Sequence, residues 1–141
     1  MTVSYALNLR QDHLNSQITR YGNAGILTIY SGTRPATGGV LSGNTALVTF
    51  TLGTPFASAA SGTLGGNVSI TPNLPNDTIA IDGGTGTQAT WARGTDSAGN
   101  FVADYDVGVA DSNADIQLTT TTISTGLILK ITSWTIYAGN A

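Results

Sequence analysis

The sequence predicts a mainly β fold, an antiparallel β-sandwich of jelly-roll type, preceded by one N-terminal amphipathic helix. Three observations carry that expectation. Apolar residues recur at helical spacing only near the N-terminus, and the remainder runs in short Thr-rich segments with β-branched alternation. Those segments are punctuated by Gly, Pro, Ser and Asn about every ten residues, the rhythm of short strands joined by turns. The chain divides accordingly into a helical arm over 1–24 and a sandwich over 25–141.

Leu7, Leu14, Ile18 and Tyr21 share one helical stripe, with Arg10, Asn15 and Gln17 placed elsewhere around the cylinder. The helix is expected over 5–21, with Ser4 as N-cap and Gly22 as its stop. The stripe is narrow, so the helix should lie on the sandwich or on another subunit. Ile26 to Tyr30, closed by Ser31-Gly32, reads as the first strand because β-branched and aromatic residues dominate it. Ala46, Val48, Phe50 and Leu52 then alternate with Leu47, Thr49 and Thr51, which suits a strand with threonines outward.

Further strands are expected at 67–71, 78–81, 87–94, 101–109, 115–121 and 127–137. In the 101–109 run, Phe101, Ala103, Tyr105, Val107 and Val109 fall on one face and Asp104 and Asp106 on the other. Between strands stand Gly38-Gly39, Gly65-Gly66, Pro72 and Pro75, Gly83-Gly84, and Asp96 to Asn100, all turn-forming.

Composition limits function. Of 141 residues only 9% are charged, against about 25% in average soluble domains. A surface hydrophilic through hydroxyls and amides can be buried against a partner without desolvating ions, which favours assembly. The net charge of −3 and five cations, Arg10, Arg20, Arg34, Arg93 and Lys130, leave no basic footprint for nucleic acid. Three of the five fall by residue 34 and the acids concentrate later, so the arm is expected to dock on an acidic neighbour. Without cysteine there is no disulfide, thiolate metal site or thiol nucleophile. No secretory signal and no apolar run of about 18 residues is read, so no membrane partner is expected.

No catalytic constellation emerges, and a non-enzymatic protein without cofactor is expected. His13 is the sole histidine, and Asp12 beside it in a helix points away. The chain has no Glu, so a glycosidase would need the pair Asp104 and Asp106, which reads instead as solvated strand charges. Asp111 to Asp115 opens like an EF-hand loop, but Ile116 stands at the glycine position and Thr122 at the bidentate one. A looser calcium site at Asp111 and Asp115 competes with a plain Asx turn. Trp91, Trp134, Tyr105 and Tyr137 are candidates for stacking on sugars, although strand aromatics more often anchor cores.

The C-terminal half carries Thr90-Trp91-Ala92-Arg93, Asp96-Ser97-Ala98-Gly99, Val107-Gly108, Ala114-Asp115-Ile116-Gln117-Leu118, Thr121-Thr122-Ile123, Gly126 and Ile131 to Ile136. With Leu27 to Gly32 after an N-terminal helix, it resembles small virion structural proteins of tailed bacteriophages and prophages. The resemblance implies a capsid decoration or cement protein that binds the assembled head and stabilises it. Its implied partners are the major capsid protein or other virion proteins. It also implies a homo-oligomer, commonly a trimer, made in the host cytoplasm and carried in the virion. A head-fibre or tail accessory, and a carbohydrate-binding receptor module, are the alternatives. For partner contact the expected residues are Arg10, Arg20 and Arg34, with Leu14, Ile18 and Tyr21 on the arm, and exposed threonine faces between copies.

Overall fold

In a computed structural model, residues 4–138 are described, so the outer ends of the 1–24 and 25–141 segments lie outside it. One helix, α1 (Leu7–Tyr21), precedes thirteen strands: β1 (Ile26–Tyr30), β2 (Ala46–Thr51), β3 (Ser61–Gly62), β4 (Val68–Ile70), β5 (Thr78–Ile79), β6 (Thr87–Gln88), β7 (Trp91–Thr95), β8 (Phe101–Val109), β9 (Ile116–Leu118), β10 (Thr122–Ile123), β11 (Ile128–Leu129), β12 (Ile131–Trp134) and β13 (Ile136–Tyr137). The fold is therefore mainly β with an N-terminal helix. A six-stranded sheet runs β12-β9-β8-β7-β1-β2. Three small sheets, β10-β6, β11-β5 and β13-β4-β3, accompany it.

The helix begins two residues later than expected. Ala6, extended and without a side-chain cap bond, is the N-cap in place of Ser4. Gly22, at φ 60°, stops it as anticipated and returns its N–H to the Ile18 carbonyl at 3.1 Å. Leu14 and Tyr21 are buried, and Leu7 and Ile18 are half-buried against the core. Arg10 shares that face, which corrects its expected placement. Spacings of three from Leu7 and four to Leu14 put it on the same stripe, and it is 2% exposed.

The helix seats on the sheet through Tyr21. Its hydroxyl and that of Tyr105 on β8 share a 2.7 Å hydrogen bond, and its ring lies 4.1 Å from Phe56. Burial pushes both phenols well above their ordinary pKa. Trp134 meets Phe56 and Tyr105 edge-on, at 5.3 and 5.1 Å, completing an aromatic cluster between helix and sheet. Leu27, Ile29, Val48 and Phe50 floor this core. Asn15 fixes the helix laterally by accepting the Ala60 N–H at 2.8 Å.

The strands also depart from expectation: 87–94 divides into β6 and β7, 127–137 into β11, β12 and β13, and 115–121 shortens to β9. Leu47, expected outward, is fully buried because the segment after β5 crosses it, donating the Ile81 N–H to its carbonyl at 2.8 Å. The sheet was expected to be antiparallel throughout, yet β8 and β9 are parallel, with Val107 opposite Ile116 and Val109 opposite Leu118. Parallel neighbours usually need a connection of about a dozen residues or more. Here residues 110–115 suffice, because the chain doubles back on the strand it has just left. Gly108 makes room for this return, since a Cβ there would strike the Ser112 hydroxyl. Asp111, at φ 63°, turns the corner.

Candidate interaction surfaces

The expected residues are distributed unevenly. Arg10, Leu14 and Tyr21 are buried within the chain itself, and Ile18 is half-buried, so they do not present a docking face. Arg20 is exposed in the last helical turn. Arg34 is exposed but paired with Asp106 at 3.1 Å. That contact lies in water and contributes at most about 1 kcal/mol. Among the threonines of the β1–β2 face, Thr49 and Thr51 are exposed, and the Thr28 and Thr49 hydroxyls approach to 3.5 Å.

Arg10 is an unusual burial. Its Nη2 donates to the Gly66 carbonyl at 2.8 Å, while Nε is buried without a partner. No carboxylate pairs with it among the described residues. A buried cation held by one carbonyl costs more than an apolar side chain of equal length. Arg10→Met should accordingly raise stability by about 1 kcal/mol and Tm by roughly 2–4 °C. Differential scanning calorimetry checks this. A lower Tm would mean that the Gly66 bond outweighs the burial.

Asp104 and Asp106 do not form a solvated pair. The Asp104 side chain is 5% exposed and receives Arg93 through both oxygens, Nε at 2.7 Å and Nη2 at 3.0 Å. That hydrogen bonding holds the Arg93 pKa above its ordinary value. Arg93 Nη1 donates to the Gly39 carbonyl at 2.9 Å, and its guanidinium lies 5.1 Å from the Trp91 ring and 5.3 Å from Phe101. Phe101 thus stands on the outer face with Arg93, against expectation. A bulge at this end of the β7–β8 ladder, where Gly94 opposes Ala103 and Thr95 opposes Phe101, changes its side.

Trp91 and Trp134 cannot stack on sugars, because each is 1% exposed. Trp134 belongs to the core. Trp91 lies on the other face, stacked on Tyr30 at 4.7 Å and covered by Arg93. His13 makes an edge contact with Tyr5, at 5.7 Å. Among the described residues no three His, Cys, Asp or Glu side chains gather to hold a metal ion. No helix among the described residues is long and apolar enough to cross a membrane.

Two apolar surfaces are exposed that patterning did not single out. Ile79 and Ile128 oppose each other across the β5–β11 pair, and Ile81 lies two residues beyond Ile79. Their exposures are 59%, 64% and 63%. The second is the loop over residues 31–45, whose Val40 is 89% exposed beside Leu41. Arg93 and Asp104 grip the loop near Gly38 and Gly39, and Asn44 ties its two ends by donating to the Ser31 and Thr33 carbonyls at 2.9 Å.

A polar cleft of about 340 Å³ opens beside the 110–115 return, and β12 and β13 supply its other wall. Asn113, Asp115 and Gln117 line one side; Ser133, Thr135 and Tyr137 line the other. Gln117 is structural, accepting from the Asp111 N–H at 3.2 Å and donating to the Ser112 carbonyl at 2.7 Å. Asp115 Oδ2 accepts the Asp106 N–H at 3.0 Å.

Comparisons with protein-family models, characterised proteins and solved structures find no match to this chain.

Proposed function

We propose that the chain is a structural virion protein of a tailed phage, a capsid decoration protein that acts by docking on the assembled head. In this reading the small sheets form the second layer of a jelly-roll-like sandwich, and the chain works in several copies, a trimer being the form implied. The observation that carries it is the isoleucine face of Ile79, Ile81 and Ile128, each about three-fifths exposed on a chain that is only 9% charged. Completing the burial of one such side chain contributes roughly 1–2 kcal/mol. Repetition over several copies seated on one lattice converts modest contacts into firm attachment. Because such a protein binds the assembled shell and not its free subunits, it adds stability by mass action.

The arm contributes less than its charge suggested. Arg10 is buried and Arg34 engaged, which leaves Arg20 as the exposed cation of the helix. The contact is therefore apolar at its centre, with charge at its margin.

Co-sedimentation of the purified chain with undecorated heads of the phage that encodes it tests the proposal. The wild-type chain should bind saturably. The variant Ile79→Ser with Ile128→Ser should bind roughly 100-fold more weakly while its Tm changes little, because both side chains are exposed. Absence of wild-type binding would overturn the head assignment, and gold-labelled antibody on intact particles would then distinguish a tail accessory from a protein outside the virion. Equal binding by the variant would overturn the role of the isoleucine face.

A further inference from the structure

We propose that the cleft beside the 110–115 return is a binding site for a neutral saccharide, with Tyr137 as the stacking platform. Sequence patterning pointed to Trp91, Trp134, Tyr105 and Tyr137 for such a role, and the first three are buried. Tyr137 is 60% exposed and lines the cleft. An exposed phenol ring supplies the apolar face on which the C–H side of a pyranose rests, and its hydroxyl supplies a polar edge.

The polar groups around it fit hydroxyl recognition. Asn113, Ser133 and Thr135 make no side-chain hydrogen bond among the described residues, and neither does the Tyr137 hydroxyl or Asp115 Oδ1. The carboxylate accepts and the amide both accepts and donates, a combination that matches the adjacent hydroxyls of a sugar. The frame behind them is fixed. Gln117 spends both ends of its amide on the return, and Asp115 is anchored through its second oxygen. No Arg, Lys or His lines the cleft, so nothing there would neutralise a phosphate, sulfate or carboxylate ligand. The volume, about 340 Å³, falls at the small end of the range of roughly 300–1,000 Å³ for ligand clefts, which suits a short saccharide.

The site is separate from the isoleucine face, so it stands or falls independently of head docking. The full chain, labelled with ¹⁵N, would be titrated with the methyl glycosides of glucose, galactose and mannose and with N-acetylglucosamine, each to tens of millimolar. At least one should shift the amides of 112–117 and 133–137 saturably, with Kd on the order of 1 mM. Tyr137→Phe should keep most of the response, losing only what the hydroxyl edge contributes. Tyr137→Ala should weaken it about tenfold or more, and Asn113→Ala, on an exposed loop position, should weaken it without altering Tm. No response to any sugar, shifts that map elsewhere, or unchanged binding by Tyr137→Ala would each overturn the proposal. A response confined to Nα-acetyl-lysine or to inorganic phosphate, run alongside, would overturn it as well.

Discussion

Gly94→Ala is expected to destabilise the chain by about 3–4 kcal/mol and lower Tm by roughly 10 °C. Gly94 is buried on β7, between Leu27 of β1 and Ala103 of β8. The ring of Tyr21 lies directly over it, and a Cβ would occupy the place of the Tyr21 hydroxyl. The methyl group would therefore lift the end of α1 off the sheet and part the Tyr21 and Tyr105 hydroxyls, which are otherwise buried and bonded at 2.7 Å. Overpacking alone costs about 1–3 kcal/mol, and leaving a buried hydroxyl unpaired adds about 1–3 more. A double-mutant cycle isolates the cause. Tyr21→Ala is destabilising by itself, but in its presence Gly94→Ala should cost almost nothing further. If the glycine substitution costs the same with and without Tyr21, the contact is not the reason.

That contact illustrates what one-dimensional pattern reading reaches. Ile26–Tyr30 and Phe101–Val109 have the bounds expected of them, because strong β-formers end there at Gly or at a turn. The helix is legible in the spacing of Leu14, Ile18 and Tyr21 and in Gly22. What pattern misses is set by pairing at a distance. Nothing local to Gly94 announces that a tyrosine 73 positions away needs its space. Leu47 sits on the threonine face of its strand and is buried only because the segment after β5 crosses it. Phe101 changes side through a bulge that depends on its partner strand.

The surfaces divide in the same way. Arg10 was the residue most open to correction from sequence, since its spacing from Leu7 and Leu14 already placed it on the apolar stripe. The isoleucine face had no comparable signal, because Ile79, Ile81 and Ile128 look like core strand residues until the small β5–β11 sheet turns them outward. The cleft likewise exists only because β8 and β9 pair in parallel and force residues 110–115 to double back.

Asp104→Asn is expected to cost about 3–5 kcal/mol, because it removes the charge that compensates a largely buried guanidinium. Arg93 is 12% exposed at its side chain and Asp104 5%, so water replaces little of the lost interaction. The substitution keeps the shape of the side chain, yet an amide cannot accept through both terminal atoms as the carboxylate does at 2.7 and 3.0 Å. Two outcomes follow. Tm should fall by on the order of 10 °C. The 31–45 loop should also open to protease near Val40, because Arg93 would loosen its hold on the Gly39 carbonyl and Gly38 would lose a carboxylate acceptor at 3.4 Å. Arg93→Met combined with Asp104→Leu separates the need for a charge pair from the need for packing. Removing both charges together leaves neither unpaired, so the double variant should recover much of the lost stability while the loop remains cleavable. A double variant as unstable as Asp104→Asn would show that the aromatic contacts of Arg93 with Trp91 and Phe101, and not its carboxylate, hold this face of the sheet.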